Sequence, residues 1–369
     1  MTPQAKFAAT RREMSDALIE RDTEVDLAMT ALICRQHVLL VGPPGCAKSL
    51  LLDSLMGWMS GTKFSMLFTK FSTPEECYGP ISIAGLKEDK YRRITHGKLP
   101  EADAVFLDEI WKASSAILNT LLKALNERVF DNGDGPKLIP LRICVAASNE
   151  WPQSNDGQKE LGALFDRFLL RKTVKPIVSA AGRERLLWGG DHTPKLSTSI
   201  SPAELDRASN EAAALPWSDE AKDALGTILR ELAKEGIQPG DRRQYQSVSA
   251  VRSFAYLNGS DRVEPDHLEI LAHVLWDDPA EQPEKCAAIV SRVANPVGLQ
   301  VNSLLLECEQ ILASTDVKQL AQAAAATSKL GEIAKRLGSL VGANGRAAKA
   351  QTYVKSEIRK IKLASIEAI

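Results

Sequence analysis

The sequence predicts an α/β domain built on a parallel five-stranded sheet, followed by an all-helical domain and a helical C-terminal extension. One observation is the strand, loop and helix pattern of residues 37–50, where a short apolar run breaks into a glycine- and proline-rich loop. Strand-like runs then alternate with helical segments as far as residue 189, which is typical of a parallel sheet with helices on both faces. From 190 onward apolar residues recur at helical spacing. We therefore expect three domains, at 1–189, 190–280 and 281–369.

Residues 37–50 (HVLLVGPPGCAKSL) fit the phosphate-loop pattern G-x-x-x-x-G-K-[ST]. Glycines let the backbone curl so that N–H groups point at an anion, and the following helix adds its positive N-terminal end. In this pattern Lys48 neutralises the β- and γ-phosphates, and Ser49 binds magnesium. Ala47 stands where the last glycine is expected, which is tolerable if its φ stays negative. An ordinary Gly-Pro turn opening a helix is the structural alternative. The predicted nucleotide-binding residues are Gly42, Pro43, Pro44, Gly45, Cys46, Ala47, Lys48, Ser49, Leu50 and Asp108.

The remaining elements of the first domain follow from apolar periodicity. We expect one or two helices between residues 6 and 33, and clear helices at 49–59 and 113–128. Besides the strand before the phosphate loop, we expect strands at 64–69, 104–108, 141–148 and 168–174.

The C-terminal half reads as helical throughout. Four helices are predicted between 202 and 276, with Ser201, Ser218 and Asp241 as candidate N-terminal caps. The extension from 281 to 369 is rich in Ala, Leu, Lys and Glu, and suits two long helices that fold back as a hairpin.

Polar side chains follow two of the predicted strands. AVFLDEI ends in Asp108 and Glu109, and LRICVAASN ends in Asn149. Parallel strands deliver their carboxyl ends to the same sheet edge, where ligands bind. Asp108 would then reach a magnesium ion, Glu109 would orient and polarise an attacking water, and Asn149 would hydrogen-bond the water or the γ-phosphate. The alternative for each is a strand that simply ends in a polar turn.

Two arginines are candidates for stabilising transition-state charge. Arg167 lies between an apolar helix and a strand and could reach a neighbouring subunit's nucleotide as an arginine finger, with Arg171 as the alternative. Arg242, at the start of a helix in the second domain, could touch the γ-phosphate, and Arg243 is its alternative. A surface salt bridge or a helix-end charge pair would explain either arginine without a catalytic role.

Composition narrows the function classes. A net charge of −1 gives no electrostatic reason to expect nucleic acid or an anionic membrane as a partner. The six cysteines form no C-x-x-C pair, the histidines have no ligand spacing, and apolar runs stop short of a membrane span. We expect a soluble, cytoplasmic protein.

Several sequence blocks in this order resemble those of the AAA+ ATPases. Their individual residues resemble the MoxR family, particularly its RavA-type branch. They are GPPGCAKS, FSTPEE, FLDEIWKA, CVAASNE and ALFDRF. In that branch alanine replaces the last phosphate-loop glycine, as at Ala47. The resemblance implies residues 42–49 as Walker A, Asp108 and Glu109 as Walker B, and Asn149 as sensor 1. It also implies Arg167 as the finger and Arg242 as sensor 2.

The resemblance further implies a chaperone-like motor that hydrolyses ATP with Mg²⁺ as a hexameric ring. It also implies a partner with a von Willebrand A domain and a protein client. Insertions at 82–95 and 129–141 are expected to be β-hairpins that line the central channel. The alternatives are a motor similar to magnesium chelatase or rubisco activase, or a scaffold that binds nucleotide without hydrolysing it; a DNA motor has less support.

Overall fold

The computed structural model describes residues 1–151, 159–315, 319–340 and 345–367. Among the described residues, five strands form one parallel sheet, as the sequence predicts, and the structure shows their order to be β2-β3-β6-β1-β7. Strands β4 and β5 form a separate antiparallel pair. The strands are β1 (Val38–Val41), β2 (Lys63–Leu67), β3 (Ala104–Asp108), β4 (Val129–Asp131), β5 (Pro136–Leu138), β6 (Ile143–Ser148) and β7 (Leu170–Thr173).

The sheet order brings the predicted site segments to one edge. Strand β6 pairs with β1 on one side and with β3 on the other, so the ends of these three strands are neighbours. All residues of β1 and β6 are buried, because helices cover both faces of a parallel sheet.

Helices surround this sheet. Two of them, α1 (Pro3–Ala17) and α2 (Asp22–Cys34), precede β1. The others are α3 (Lys48–Trp58), α4 (Pro74–Tyr78), α5 (Ile83–Lys87), α6 (Ser115–Glu127), α7 (Lys159–Arg167) and α8 (Ala180–Trp188). Helix α6 buries one face against the core, through Ile117, Leu118, Leu121, Ala124 and Leu125.

The second region contains α9 (Pro202–Ala213), α10 (Asp219–Lys234), α11 (Asp241–Leu257) and a 3-10 helix, Pro265–His273. Ser201 and Ser218 cap their helices as predicted, each accepting a hydrogen bond from the backbone N–H three residues on. The prediction of Asp241 as a cap is wrong: Gly240 holds the extended cap conformation, and Asp241 is the first helical residue. The fourth helix is 3-10 rather than α.

The described residues of the extension form four helices, so the prediction of two is wrong. They are α12 (Gln282–Ala294), α13 (Pro296–Ser314), α14 (Leu320–Leu340) and α15 (Gly345–Glu367). Pro296 disfavours a helical conformation at the preceding residue, and Asn295 instead caps α13, accepting a 2.6 Å hydrogen bond from the Gly298 N–H. Helix α12 packs on the main core, whereas α13, α14 and α15 share a separate apolar core.

The two insertions differ from each other in structure. The hairpin predicted within 129–141 is confirmed as β4 and β5. The insertion at 82–95 is not a regular hairpin, because the Ser82 hydroxyl accepts from the Gly85 N–H at 3.1 Å and starts the short helix α5. Only its ends pair, through one antiparallel bridge between Ile81 and Arg93. The insertions contact each other, since the Asn132 amide exchanges hydrogen bonds of 2.6 and 3.0 Å with the backbone of Arg93.

Candidate functional site

The phosphate loop, the acidic pair and Asn149 line one open cavity of about 420 Å³ at the carboxyl edge of the sheet. This meeting follows from the strand order, because β1, β3 and β6 are neighbours. The lining residues are Pro44, Gly45, Cys46, Ala47, Lys48, Ser49, Leu50, Leu67, Asp108, Glu109 and Asn149.

The phosphate loop takes two left-handed residues before α3. Gly45 has φ +81°, and Ala47 has φ +59°, so the expectation of a negative φ at Ala47 is wrong. Ala47 is the cap residue of α3, and its left-handed turn leads the chain into the helix N-terminus. Gly42 is required for a different reason: a Cβ there would lie 2.2 Å from the backbone oxygen of Val174, which follows β7.

Lys48 is nearly buried, with 9% of its surface exposed, and its ammonium is held by the loop itself. Nζ donates to the carbonyl oxygens of Gly42 and Pro43, at 2.9 Å for Pro43, and lies 3.4 Å from Asn149 Oδ1. Burial lowers the pKa of Lys48, while the negative charges of Asp108 and Glu109 oppose that shift. The cation and both carboxylates therefore share one cavity.

Glu109 is oriented by contacts on both carboxylate oxygens. The Asn149 side-chain amide donates to Oε1, and Lys112 Nζ lies 3.3 Å from Oε2. The backbone of Glu109 is left-handed, with φ +53°, and its N–H donates to Asp108 Oδ1 at 3.0 Å. This fixed carboxylate, 8% exposed, can accept a hydrogen bond from a water at the cavity.

Ser49 and Asp108 offer a hydroxyl and a carboxylate to the same cavity. Such hard oxygen donors suit Mg²⁺, which protein sites bind through one or two side chains together with phosphate oxygens and water. Within the described ranges, no group of three or more His, Cys, Asp or Glu side chains could hold a metal ion alone. The donor set thus fits magnesium brought in with a nucleotide.

A second cavity, of about 520 Å³, lies on the other side of the phosphate loop, and sequence reasoning missed it. Its walls come from segments far apart in the chain, so no local pattern indicated it. They comprise Ala17, Leu18, Ile19, Arg21, Pro43, Pro44, Gly45, Cys46, Ala47, Leu50, Pro176, Ile177, Arg183, Leu186 and His192. This largely aliphatic slot adjoins the phosphate loop and suits the flat base of a nucleotide.

Arg21 connects the two walls of that slot. It is 5% exposed and donates to the backbone oxygens of Cys46 and Lys175, at 3.1 and 2.8 Å. The phosphate loop is therefore tied to the segment after β7 through one buried guanidinium.

Comparison with known proteins agrees with this geometry. A family model described as the MoxR domain in MoxR-vWA-beta-propeller ternary systems matches residues 5–209, more than half of the chain, and an AAA lid domain model matches 220–289. The chain belongs to the MoxR family of AAA+ proteins. The assignment to the RavA-type branch within this family stays a prediction.

Individual proteins resemble this MoxR-family chain in sequence or in fold. An uncharacterised protein of Methanocaldococcus jannaschii is 34% identical over 97% of this chain and 90% of its own length. The Mycobacterium tuberculosis protein named chaperone MoxR1 is 26% identical over 79% of this chain and 82% of its own. A solved structure from Cytophaga hutchinsonii shares the fold, with a TM-score of 0.63 at 15% identity, over 79% of this chain and 95% of that one.

The two arginines that the MoxR resemblance singles out lie away from both cavities. Arg167 ends α7, with 22% of its side chain exposed, and its Nη1 lies 3.0 Å from Asp166 Oδ2. Arg242 is exposed and donates to Asn126 Oδ1; burial, and then the nearby Arg167 cation, lower its pKa. These two cations are near enough to affect each other, and neither lines either cavity of its own chain.

The alternatives Arg171 and Arg243 are both buried and cannot reach another subunit. Arg171 is fully enclosed, with its guanidinium 3.8 Å above the Phe165 ring and a 2.8 Å hydrogen bond to the Trp276 oxygen. Arg243, 3% exposed, donates to backbone oxygens of Leu169 and Val274, each at 3.1 Å. Both cations join the sheet domain to the lid.

Proposed function

We propose that this protein hydrolyses Mg-ATP as a ring-forming, chaperone-like MoxR ATPase of the cytoplasm that acts on partner proteins. The observation that carries the proposal is the meeting of Lys48, Ser49, Asp108, Glu109 and Asn149 at one cavity. An ordinary Gly-Pro turn would not require an acidic pair and an oriented amide beside it.

In the proposed reaction, ATP binds with its triphosphate in the phosphate loop and its base in the second cavity. Lys48 neutralises charge on the β- and γ-phosphates, and the N–H groups at the start of α3 bind their oxygens. Glu109, held by Asn149, orients a water for in-line attack on the γ-phosphorus, and ADP and phosphate leave. Ser49 and Asp108 would hold a magnesium ion, which would supply further charge neutralisation when bound.

A neighbouring subunit supplies the remaining positive charge in this proposal. Arg167 does not line the cavity of its own chain, which supports its acting on the next subunit's nucleotide. Arg242 would touch the γ-phosphate from the lid side. An arginine finger contributes on the order of 10³–10⁵ in rate where it acts. A hexameric ring would give every cavity such a neighbour.

The family description supports a partner with a von Willebrand A domain, and the name of the mycobacterial relative supports a chaperone role. Domains at 1–189, 190–280 and 281–369 would then divide nucleotide binding, lid movement and partner contact. The joined insertions around Asn132 and Arg93 would pass movement to a client in the channel. Among the described helices, none is long and apolar enough to cross a membrane.

The deciding experiment measures ATP binding and phosphate release by the wild type, Lys48→Ala and Glu109→Gln. We expect Lys48→Ala to lose binding, and Glu109→Gln to bind ATP but hydrolyse it about 10²–10⁴ times more slowly. The matched control is Glu220→Gln, a substitution on the exposed face of α10, which should leave turnover unchanged. Negligible wild-type hydrolysis with ATP-dependent assembly would instead support a nucleotide-gated scaffold.

The identity of the partner is tested by a pull-down with the Glu109→Gln variant in the presence of ATP, followed by identification of the proteins that co-purify. Recovery of a von Willebrand A domain protein supports the proposed partner. Recovery of rubisco or of a chelatase subunit would replace it with one of the other remodelling functions.

A further inference from the structure

The carboxylate of Asp166, beside the proposed finger, contacts three arginines: Arg167, Arg243 and, at 3.9 Å, Arg171. Oδ2 lies 3.0 Å from Nη1 of Arg167, and Oδ1 accepts a 3.0 Å hydrogen bond from Nη2 of Arg243. Arg167 ends α7 in the sheet domain, whereas Arg243 lies in the first turn of α11 in the lid. A single carboxylate thus joins the proposed finger to the lid.

The lid side of this contact is rigid. Arg243 also donates to the Leu169 and Val274 oxygens, and its Nε lies 3.2 Å from Asp277 Oδ1. A planar guanidinium held at several nitrogens has little freedom to rotate. Asp166 therefore has a fixed anchor, although 47% of its own side chain is exposed.

Without Asp166, the Arg167 guanidinium would be only loosely held. Among the described residues, the hydrogen bond of the Arg167 guanidinium goes to Asp166, and its buried Nε has no hydrogen-bond partner there. The neighbouring Arg242 cation adds repulsion that the negative charge of Asp166 offsets. Loss of this carboxylate would leave a charged, long side chain with many accessible rotamers.

An aromatic cluster links the same region to the nucleotide cavity. Trp151, two residues after Asn149, has its ring centroid 5.9 Å from Phe165 and 5.6 Å from Trp276. Phe165 immediately precedes Asp166, and Trp276 lies in the lid region next to Asp277. The end of α7 is thus packed between the Asn149 strand end and the lid.

We propose that Asp166 is a positioning residue that fixes the Arg167 guanidinium from the lid through Arg243, so that lid position sets the reach of the finger into the next subunit. This inference rests on the proposed function, because it needs Arg167 to act on a neighbour's ATP. Asp166 itself contacts no substrate. Its effect should therefore fall on the neighbour's turnover and not on ATP binding in its own cavity.

Mixed assemblies test this directly. Asp166→Ala leaves its own cavity intact but loosens its finger, whereas Glu109→Gln disables its own cavity and keeps its finger. We expect Asp166→Ala alone to lose about 10- to 100-fold in kcat, with the KM for ATP changed less than threefold. Combining the two variants before assembly should restore activity several-fold above the mean of the separate proteins.

One further variant makes the result decisive. Arg167→Ala mixed with Glu109→Gln must show the same restoration if the finger acts between subunits, and its failure would overturn the proposed finger and this inference together. If that pair is restored but Asp166→Ala keeps wild-type kcat, or is not restored by Glu109→Gln, the positioning role of Asp166 is overturned and the finger stands.

Folding and assembly are controlled by sedimentation of each variant with ATP. Asp166→Asn keeps the side-chain volume and one acceptor oxygen, so it replaces Asp166→Ala if the alanine variant does not assemble, with the same restoration expected. Asp219→Asn, at an exposed helix start in the lid with 89% of the side chain accessible, is the matched control and should keep wild-type kcat.

Discussion

The side-chain amide of Asn149 donates to Oε1 of Glu109, across the junction between β6 and β3. Asn149 also places its Oδ1 3.4 Å from Lys48 Nζ, so one amide contacts both the acidic residue and the cation of the cavity. In such an arrangement the amide orients the carboxylate and also separates it from the ammonium.

Replacement of Asn149 by alanine tests this orienting role. We expect Asn149→Ala to lower kcat for ATP about 10²-fold, because the Glu109 carboxylate loses the donor that fixes it. ATP affinity, measured with a fluorescent analogue, should change little. Asn210→Ala, at an exposed position of α9, is the control, and equal kcat for both variants would contradict the role.

The left-handed backbone of Ala47 leads us to expect that replacing this alanine by glycine stabilises the protein. Because its φ is +59°, Ala47→Gly should raise the free energy of unfolding by about 1 kcal/mol, since a left-handed conformation costs an L-residue about 1–2 kcal/mol. Gly45→Ala is the matched reversal: φ is +81° there, no atom lies within 4 Å of an added Cβ, and we expect destabilisation of similar size. Denaturant unfolding of both variants measures the difference, and destabilisation by Ala47→Gly would contradict the strain.

Burial of the His37 imidazole should make the free energy of unfolding depend on pH. Its Nδ1 accepts from the Cys144 N–H at 3.0 Å, its Nε2 lies 3.0 Å from the Leu125 oxygen, and burial lowers its pKa to about 4. Between that value and the ordinary pKa of about 6.5 the unfolded chain binds the proton and the folded chain does not. The free energy of unfolding should therefore fall as pH drops through this window, by up to about 3 kcal/mol from this group.

The measurement is urea unfolding from pH 7 to pH 4.5, comparing the wild type with His37→Gln. The variant should be less stable at pH 7 but show a shallower decline, because it has no buried imidazole to protonate. His96→Gln, at a side chain 96% exposed, should follow the wild-type slope. Equal slopes for all three proteins would contradict the role of His37.

Activity should also depend on protein concentration. If Arg167 comes from a neighbour, dilution below the assembly range should lower turnover per chain, and Arg167→Ala should have low turnover at every concentration. Phosphate release and sedimentation velocity on the same dilution series test this. Unchanged turnover per chain across dissociation would exclude a finger supplied by another subunit.

The site residues differ in how far the sequence could indicate them. The phosphate loop and the Asp108-Glu109 pair carry local patterns, and the parallel sheet that joins them follows from the alternation of strands and helices. No local sequence pattern distinguished Arg167 from Arg171 as the finger. Arg171 is buried only because Phe165 and Trp276 enclose it, and those residues lie on opposite sides of it in the chain.

The sequence by itself determined the strands of the sheet, several helix starts and the chemistry at the strand ends, because hydrophobic period, capping and loop composition act over a few residues. Single capping residues decided two other features. Ser82 starts a short helix within 82–95, and Asn295 marks a break between helices of the extension. Only the tertiary structure decided the second cavity and the contact of Asp166 with both Arg167 and Arg243. Those contacts depend on which distant segments pack together, and packing against distant segments leaves no periodic signal in either segment alone.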